Sequence, residues 1–153
     1  KHVQQFTAEG HLRWDSLGEF MAIAVSLEHL AEVNNNPKAK ILAETLDNAI
    51  EDLLKNGKSP MRKVGQLDNR GSHYYLAMYW ADELAKQTAD ADMKTAFKSI
   101  ATELKNNEST ILTELNNAQG AAEDMQGYYY PSTDFVFERM RPSKTLNTII
   151  DNI

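Results

Sequence analysis

Residues 15–37, DSLGEFMAIAVSLEHLAEVNNNP, decide the fold class. Asp15 and Ser16 are polar residues suited to a helix start, and Ser16 stands three residues before Glu19, the spacing of a capping box. Leu17, Phe20, Met21, Ala24, Leu27 and Ala31 then recur at helical intervals and lay one apolar face along the element. Asn34-Asn35-Asn36-Pro37 stops it, because proline cannot continue the backbone hydrogen-bond ladder.

The same period runs outward in both directions. Pro37 suits the first turn of a second helix with Leu42, Leu46, Ala49, Ile50, Leu53 and Leu54 inward, and Asn56-Gly57 ends it. Residues 58–72 are irregular. A third helix runs from Ser72 or His73 to about Gln87, with Leu76, Tyr79, Trp80 and Leu84 inward. Asp90 caps a fourth, carrying Met93, Ala96, Phe97, Ile100, Ala101 and Leu104. Ile111, Leu112, Leu115 and Ala118 form a fifth that ends near Gly120, and Leu146, Ile149, Ile150 and Ile153 form a last short one. Residues 121–142 read as aromatic and irregular, with Phe135-Val136-Phe137 resembling a short strand that has no evident partner. At the other end, Val3, Phe6 and Gly10 already belong to a periodic element. The expected fold is all-α, about six helices in a single segment over residues 1–153, without repeats or low-complexity linkers.

Length and charge bound the function. A chain of 153 residues and 17.3 kDa makes one domain with a real core. Its net charge of −6 disfavours general binding to nucleic acid or anionic membrane, both of which need a basic face. There is no cysteine, which removes disulfides, thiolate catalysis and zinc–thiolate sites. No apolar run approaches the roughly 20 residues of a transmembrane helix, and Lys1-His2-Val3-Gln4-Gln5-Phe6 has no signal-peptide core. A cytoplasmic, reducing compartment is expected. The absence of an initial methionine fits either tag removal or a piece of a longer protein.

Four candidate chemistries present themselves. His29 and Glu32 have a metal-ligand spacing but stand alone, so a solvated helix face is expected there and no metal site. His2, His11 and Arg13 gather positive charge near the start, and Arg62-Lys63 does so in the irregular stretch. A planar guanidinium makes two charge-assisted hydrogen bonds to one phosphate, so loop arginines beside a helix start suit an anion; surface ion pairing is the alternative. Asp68-Asn69-Arg70-Gly71-Ser72-His73 reads either as an acid–base group or as a polar helix entrance, with Ser72 as cap and Asp68 paired to Arg70 or to the helix dipole. The entrance is the expectation. Tyr128, Tyr129 and Tyr130 suit stacking on a base or, more commonly, closing a small core; the second is expected.

Several blocks, in order, resemble the C-terminal part of the monomeric-type NADP-dependent isocitrate dehydrogenases. They are Lys1-His2-Val3-Gln4-Gln5-Phe6, Leu12 to Phe20, Ser26 to Leu30, Lys58-Ser59-Pro60, Arg62 to Gly65, Asp68 to His73, Gly127-Tyr128-Tyr129 and Met140 to Ser143. The resemblance spans essentially the whole chain and implies the helical C-terminal part of a Rossmann-like α/β small domain. The family oxidises isocitrate with NADP⁺ and releases CO₂ to give 2-oxoglutarate, a step of the tricarboxylic acid and glyoxylate cycles. Mg²⁺ or Mn²⁺ acts there as Lewis acid. By the same resemblance the metal, isocitrate and catalytic residues lie upstream of Lys1, so no catalytic or metal residue is expected here. What it assigns to this segment is the adenosine end of NADP: His2, Arg13 and Arg62 toward the 2′-phosphate, with Trp14 and with Asp15 toward adenine or ribose. Tyr130 departs from the family pattern and receives no role. The implied partners are NADP, isocitrate and the remainder of the protein's own chain, with self-association of the isolated piece; a free-standing helical scaffold module derived from the enzyme is the alternative.

Overall fold

The computed structural model describes residues 1–127 and 129–153. Its elements are α1 (His2–Glu9), α2 (Leu17–Asn34), α3 (Pro37–Lys55), α4 (Asn69–Lys86), α5 (Ala91–Asn106), α6 (Glu108–Asn117), α7 (Thr133–Met140) and α8 (Lys144–Asp151). All are helices. Among the described residues there is no strand.

α2, α3, α4 and α5 pack in sequence order, each on the next, while α6 and α8 close the end of the row. Short connections join α2 to α3 and α4 to α5 as in helical hairpins, while the longer 56–68 loop joins α3 to α4. Local chemistry sets the boundaries. The Asn36 side chain accepts from the Lys38 and Ala39 amides, with Pro37 in the first turn of α3. Gly57, at φ 62°, follows the last turn of α3. Asp90 accepts from the Met93 amide at 2.8 Å and caps α5.

α4 is the central element. Tyr74, Tyr75, Leu76, Met78, Ala81 and Leu84 are buried along it, against Leu46, Ala49, Ile50 and Leu53 of α3 and Ala101 and Leu104 of α5. The two buried phenols both find partners: Tyr74 donates to the Leu104 carbonyl at 2.9 Å and Tyr75 to Glu108 at 2.6 Å. Burial first, and then the Glu108 carboxylate, pushes the Tyr75 phenol far above its usual range. Trp80 donates to Thr45 at 3.1 Å, linking α4 to α3.

Four expectations are corrected. α4 begins at Asn69 with Asp68 as its cap, so the helix starts earlier than Ser72. Residues 133–140, around Phe135-Val136-Phe137, are helix rather than strand. Ser132 accepts from the Phe135 amide at 3.2 Å, and this cap outweighs the strand preference of three aromatic and branched residues. Ser16 and Glu19 do not form a capping box, since Ser16 makes no cap bond and Glu19 accepts from the Trp14 indole at 3.1 Å. Tyr129 and Tyr130 are 81% and 92% exposed and close no core, while Tyr128 lies outside the described residues. On the core faces, Met21 and Leu54 point outward although both fit the apolar period. α2 also carries Ile23, Val25, Leu30 and Val33 on its exposed side, which makes it apolar nearly all round.

The junction of α6 and α8 depends on one carboxylate. Glu114 accepts from the Ser143 hydroxyl at 2.6 Å, the Thr145 amide at 3.1 Å and the Thr145 hydroxyl at 3.0 Å. The Ser143 bond, ahead of the two from Thr145, holds its pKa below the ordinary 4.5. A depressed carboxylate stabilises the fold fully above the unfolded value and loses that contribution as the pH falls through the folded one. Glu114→Gln is therefore expected to cost about 1–2 kcal/mol at pH 7, the scale of a bond to a charged group. Urea unfolding at pH 7 and at pH 3 checks it. A penalty just as large at pH 3 would contradict the charged-acceptor role.

Candidate functional site

The polar stretch Asp68-Asn69-Arg70-Gly71-Ser72-His73 is a structural hub. Asp68 is 1% exposed and Arg70 3% exposed. Asp68 Oδ1 accepts from the Arg70 amide at 3.0 Å, which caps α4, while Oδ2 accepts from the Arg70 Nε at 3.0 Å and from the Leu12 amide at 3.3 Å. The remaining guanidinium donors reach the Gly10 carbonyl at 2.7 Å and the Arg139 carbonyl at 2.8 Å. Ser72 Oγ donates to the Lys58 carbonyl, and His73 Nδ1 bonds the Asn69 carbonyl at 2.9 Å with its ring edge on Phe20. Each polar group thus spends itself on the fold. The expected helix entrance is right in kind, but the cap is Asp68 and Ser72 is a tether.

The hub holds an irregular arm, residues 10–16, between α1 and α2. Gly10 ends α1 at φ 62°, and a Cβ there would lie 3.0 Å from the Ala118 carbonyl and 3.2 Å from that of Ala121. The Asn69 amide donates to the Leu12 carbonyl at 2.7 Å, and its side-chain Nδ2 donates to the Trp14 carbonyl at 2.8 Å and to Ser16 Oγ at 2.9 Å. Even-numbered residues of the arm are therefore gripped by the start of α4. Arg13 and Asp15 alternate with them, Arg13 half-buried and Asp15 exposed.

Of the five residues expected to contact the cofactor, three line one pocket. His2, Arg13 and Trp14 face Phe6, Phe135 and Met140 around a cavity of about 300 Å³. The His2 and Trp14 rings meet edge to face at 5.9 Å. Asp15 sits beside them, with Oδ1 accepting from the Leu17 amide at 3.0 Å and so serving the start of α2. Arg62 is outside the pocket, exposed on the 56–68 loop, and its carbonyl accepts from Gln5 Nε2 of α1 at 2.9 Å. Its neighbour Met61 is bonded to His11. His11, grouped by sequence with the positive charge, is instead wholly buried.

Charge pairing singles out two of these residues. The chain has five arginines. Arg70 pairs with Asp68, Arg139 with Glu123 and Arg141 with Asp151. Among the described residues, Arg13 and Arg62 have no carboxylate in ion-pairing distance, although acidic groups outnumber basic ones 22 to 16. His2, at the start of α1, is likewise unpaired within the described residues. Unmatched cations on two adjoining loops, beside an apolar pocket with an indole wall, suit a phosphorylated aromatic ligand. His29 and Glu32 are exposed on α2, as a solvated face. Among the described residues, no group of three or more His, Cys, Asp or Glu is placed to hold a metal, and no helix is long and apolar enough to cross a membrane.

Sequence reasoning missed Asn69 and Gln119, which shape the site without touching its pocket. Gln119 accepts from the Gly65 amide at 2.9 Å and donates to the Gln66 carbonyl at 3.0 Å. No spacing rule connects residues more than fifty positions apart.

Comparison with known proteins gives the family. The family model described as monomeric isocitrate dehydrogenase matches residues 1–151. The chain is 57% identical over 150 residues to isocitrate dehydrogenase [NADP] 2 of Colwellia maris, covering 98% of this chain and 20% of that protein. It is 56% identical to isocitrate dehydrogenase [NADP] of Azotobacter vinelandii, with the same coverage. With isocitrate dehydrogenase [NADP] 2 of Mycobacterium tuberculosis it shares 51% identity over 153 residues, all of this chain and 20% of the relative. The chain thus spans about one fifth of the length of these curated relatives.

Proposed function

The chain belongs to the monomeric isocitrate dehydrogenase family, and on that premise we propose that it is the C-terminal, cofactor-gripping part of an NADP-dependent isocitrate dehydrogenase. The observation that carries this reading is the pair of arginines, Arg13 and Arg62, left without carboxylate partners in a chain of net charge −6. These guanidinium groups find in a 2′-phosphate the dianion that the described residues do not supply, which favours NADP over NAD. His2 adds a third donor from the first turn of α1, where the helix dipole also favours an anion. Trp14 forms the aromatic wall, and the second oxygen of Asp15 is available to accept from the adenine amine or a ribose hydroxyl.

The bound cofactor would take the hydride that leaves isocitrate, with CO₂ lost afterwards. This segment's own residues bind and orient the distal end of that cofactor. Metal, isocitrate and the acid–base residues are assigned to the other four fifths of the polypeptide, so the segment alone is inactive. It forms part of the small domain, acts in the cytoplasm, and has NADP, isocitrate and the remainder of its own chain as partners.

Arg13→Ala in the full-length enzyme tests the reading. The dissociation constant for NADP is expected to rise about tenfold or more, the equivalent of a lost charge-assisted contact of about 1.5–3 kcal/mol. That for NAD, which lacks the phosphate, stays within about twofold. Equal weakening of both nucleotides, or of neither, would rule the assignment out.

A further inference from the structure

The loop that carries Arg62 closes mostly on itself, by the Met61 amide to the Leu67 carbonyl at 2.7 Å and the Gln66 amide to the Lys63 carbonyl at 3.1 Å. Apart from the Leu12 amide bond to Asp68 at the loop's end, its hydrogen-bonded attachment to the arm that carries Arg13 runs, among the described residues, through one ring. His11 Nε2 donates to the Met61 carbonyl at 2.9 Å, and Nδ1 lies 2.7 Å from Gln119 Oε1. Gln119 in turn holds the Gly65 amide and the Gln66 carbonyl of the same loop. His11 stands two residues before Arg13 and is bonded to the residue before Arg62. The ring is fully buried, and the preceding Gly10 stands where an added Cβ would meet the Ala118 and Ala121 carbonyls, so the side chain is enclosed and the backbone beside it is closely packed.

We propose that His11 is a positioning residue: it sets the separation of Arg13 and Arg62, and with it the preference for a 2′-phosphorylated dinucleotide over one without the phosphate. The inference rests on the reading of those two arginines as phosphate ligands. Two planar guanidinium forks grip one phosphate only when their spacing is held to a fraction of an ångström. Gln5, which bonds the Arg62 carbonyl, fixes that loop to α1 but makes no bond to the arm, so it does not replace the ring.

The test measures dissociation constants and KM for NADP and for NAD in the full-length enzyme carrying His11→Leu, His11→Gln or Arg13→Ala. His11→Leu keeps the apolar volume and removes both ring nitrogens. It is expected to lower the NADP-over-NAD preference about tenfold, the loss falling on the NADP KM rather than on kcat. His11→Gln, whose amide can still donate toward Met61, should restore at least half of that loss on a logarithmic scale. A His11→Leu enzyme with unchanged preference, or with NADP and NAD weakened equally, overturns the proposal. If Arg13→Ala also leaves the preference unchanged, the phosphate reading itself has failed; if it lowers the preference while His11→Leu does not, only the positioning role has. Should His11→Leu not be recovered folded, Gln119→Ala decides the matter from the partly exposed side of the same link. A fall in preference then supports the proposal and no change overturns it.

Discussion

Arg70→Met should destabilise the protein by about 3–5 kcal/mol, the cost of stranding one member of a buried ion pair. Among the described residues the guanidinium is the only counter-charge of an Asp68 carboxylate that is 1% exposed, and it also satisfies the Gly10 and Arg139 carbonyls. Methionine replaces the stem of the side chain but none of its donors. Asp68 keeps the amides of Arg70, Gly71 and Leu12, so its charge is left weakly solvated rather than bare. In a chain of this size each kcal/mol is worth roughly 2–4 °C in the melting temperature. Equilibrium urea unfolding measures the loss directly, and a value below about 1 kcal/mol would contradict the buried-pair account. The Asp68→Ala/Arg70→Ala double variant is expected to cost less than the sum of its single variants, because removing both groups leaves no buried charge without its counter-charge.

Arg62→Ala in the full-length enzyme should raise the NADP KM well over tenfold, with the isocitrate KM changed far less. The side chain is exposed and has no carboxylate partner among the described residues, while its carbonyl, which any residue supplies, keeps the bond from Gln5. The fold therefore loses almost nothing, and stability is expected to hold within about 0.5 kcal/mol. The ligand loses a charge-assisted contact worth about 1.5–3 kcal/mol. Initial rates against NADP at saturating isocitrate provide the check, and an unchanged NADP KM would exclude Arg62 from the site.

The helices with long apolar periods were legible from sequence because burial repeats every turn. α3 and α5 end where Asn36, Asn56-Gly57 and Asp90 place them. α7 was not, since eight residues with the consecutive apolar run Phe135-Val136-Phe137 at their centre span little more than two turns and show no clear helical period. The arginines were legible by type and by resemblance. Their setting was not: Asn69 bonds residues 55 and 53 positions away, His11 reaches one 108 away, and such contacts leave no local pattern. Met21 and Leu54 show the complementary failure, for an apolar residue on the right phase still faces solvent where no element lies opposite.

Several of the long-range bonds in the site run from side-chain donors to main-chain carbonyls: His11 to Met61, Arg70 to Gly10 and Arg139, Asn69 to Trp14, Gln5 to Arg62. A carbonyl is common to every amino acid. Mutational freedom is therefore distributed unequally across each bond. Met61, whose side chain is exposed, can drift in identity while its half of the bond persists, whereas His11, Asn69 and Arg70 carry the chemistry that cannot be exchanged. Sequence change in descendants of this chain should accumulate at Met61 and leave the donating side intact, while the accepting Gly10, Trp14 and Arg62 are held by their own conformation or side chains.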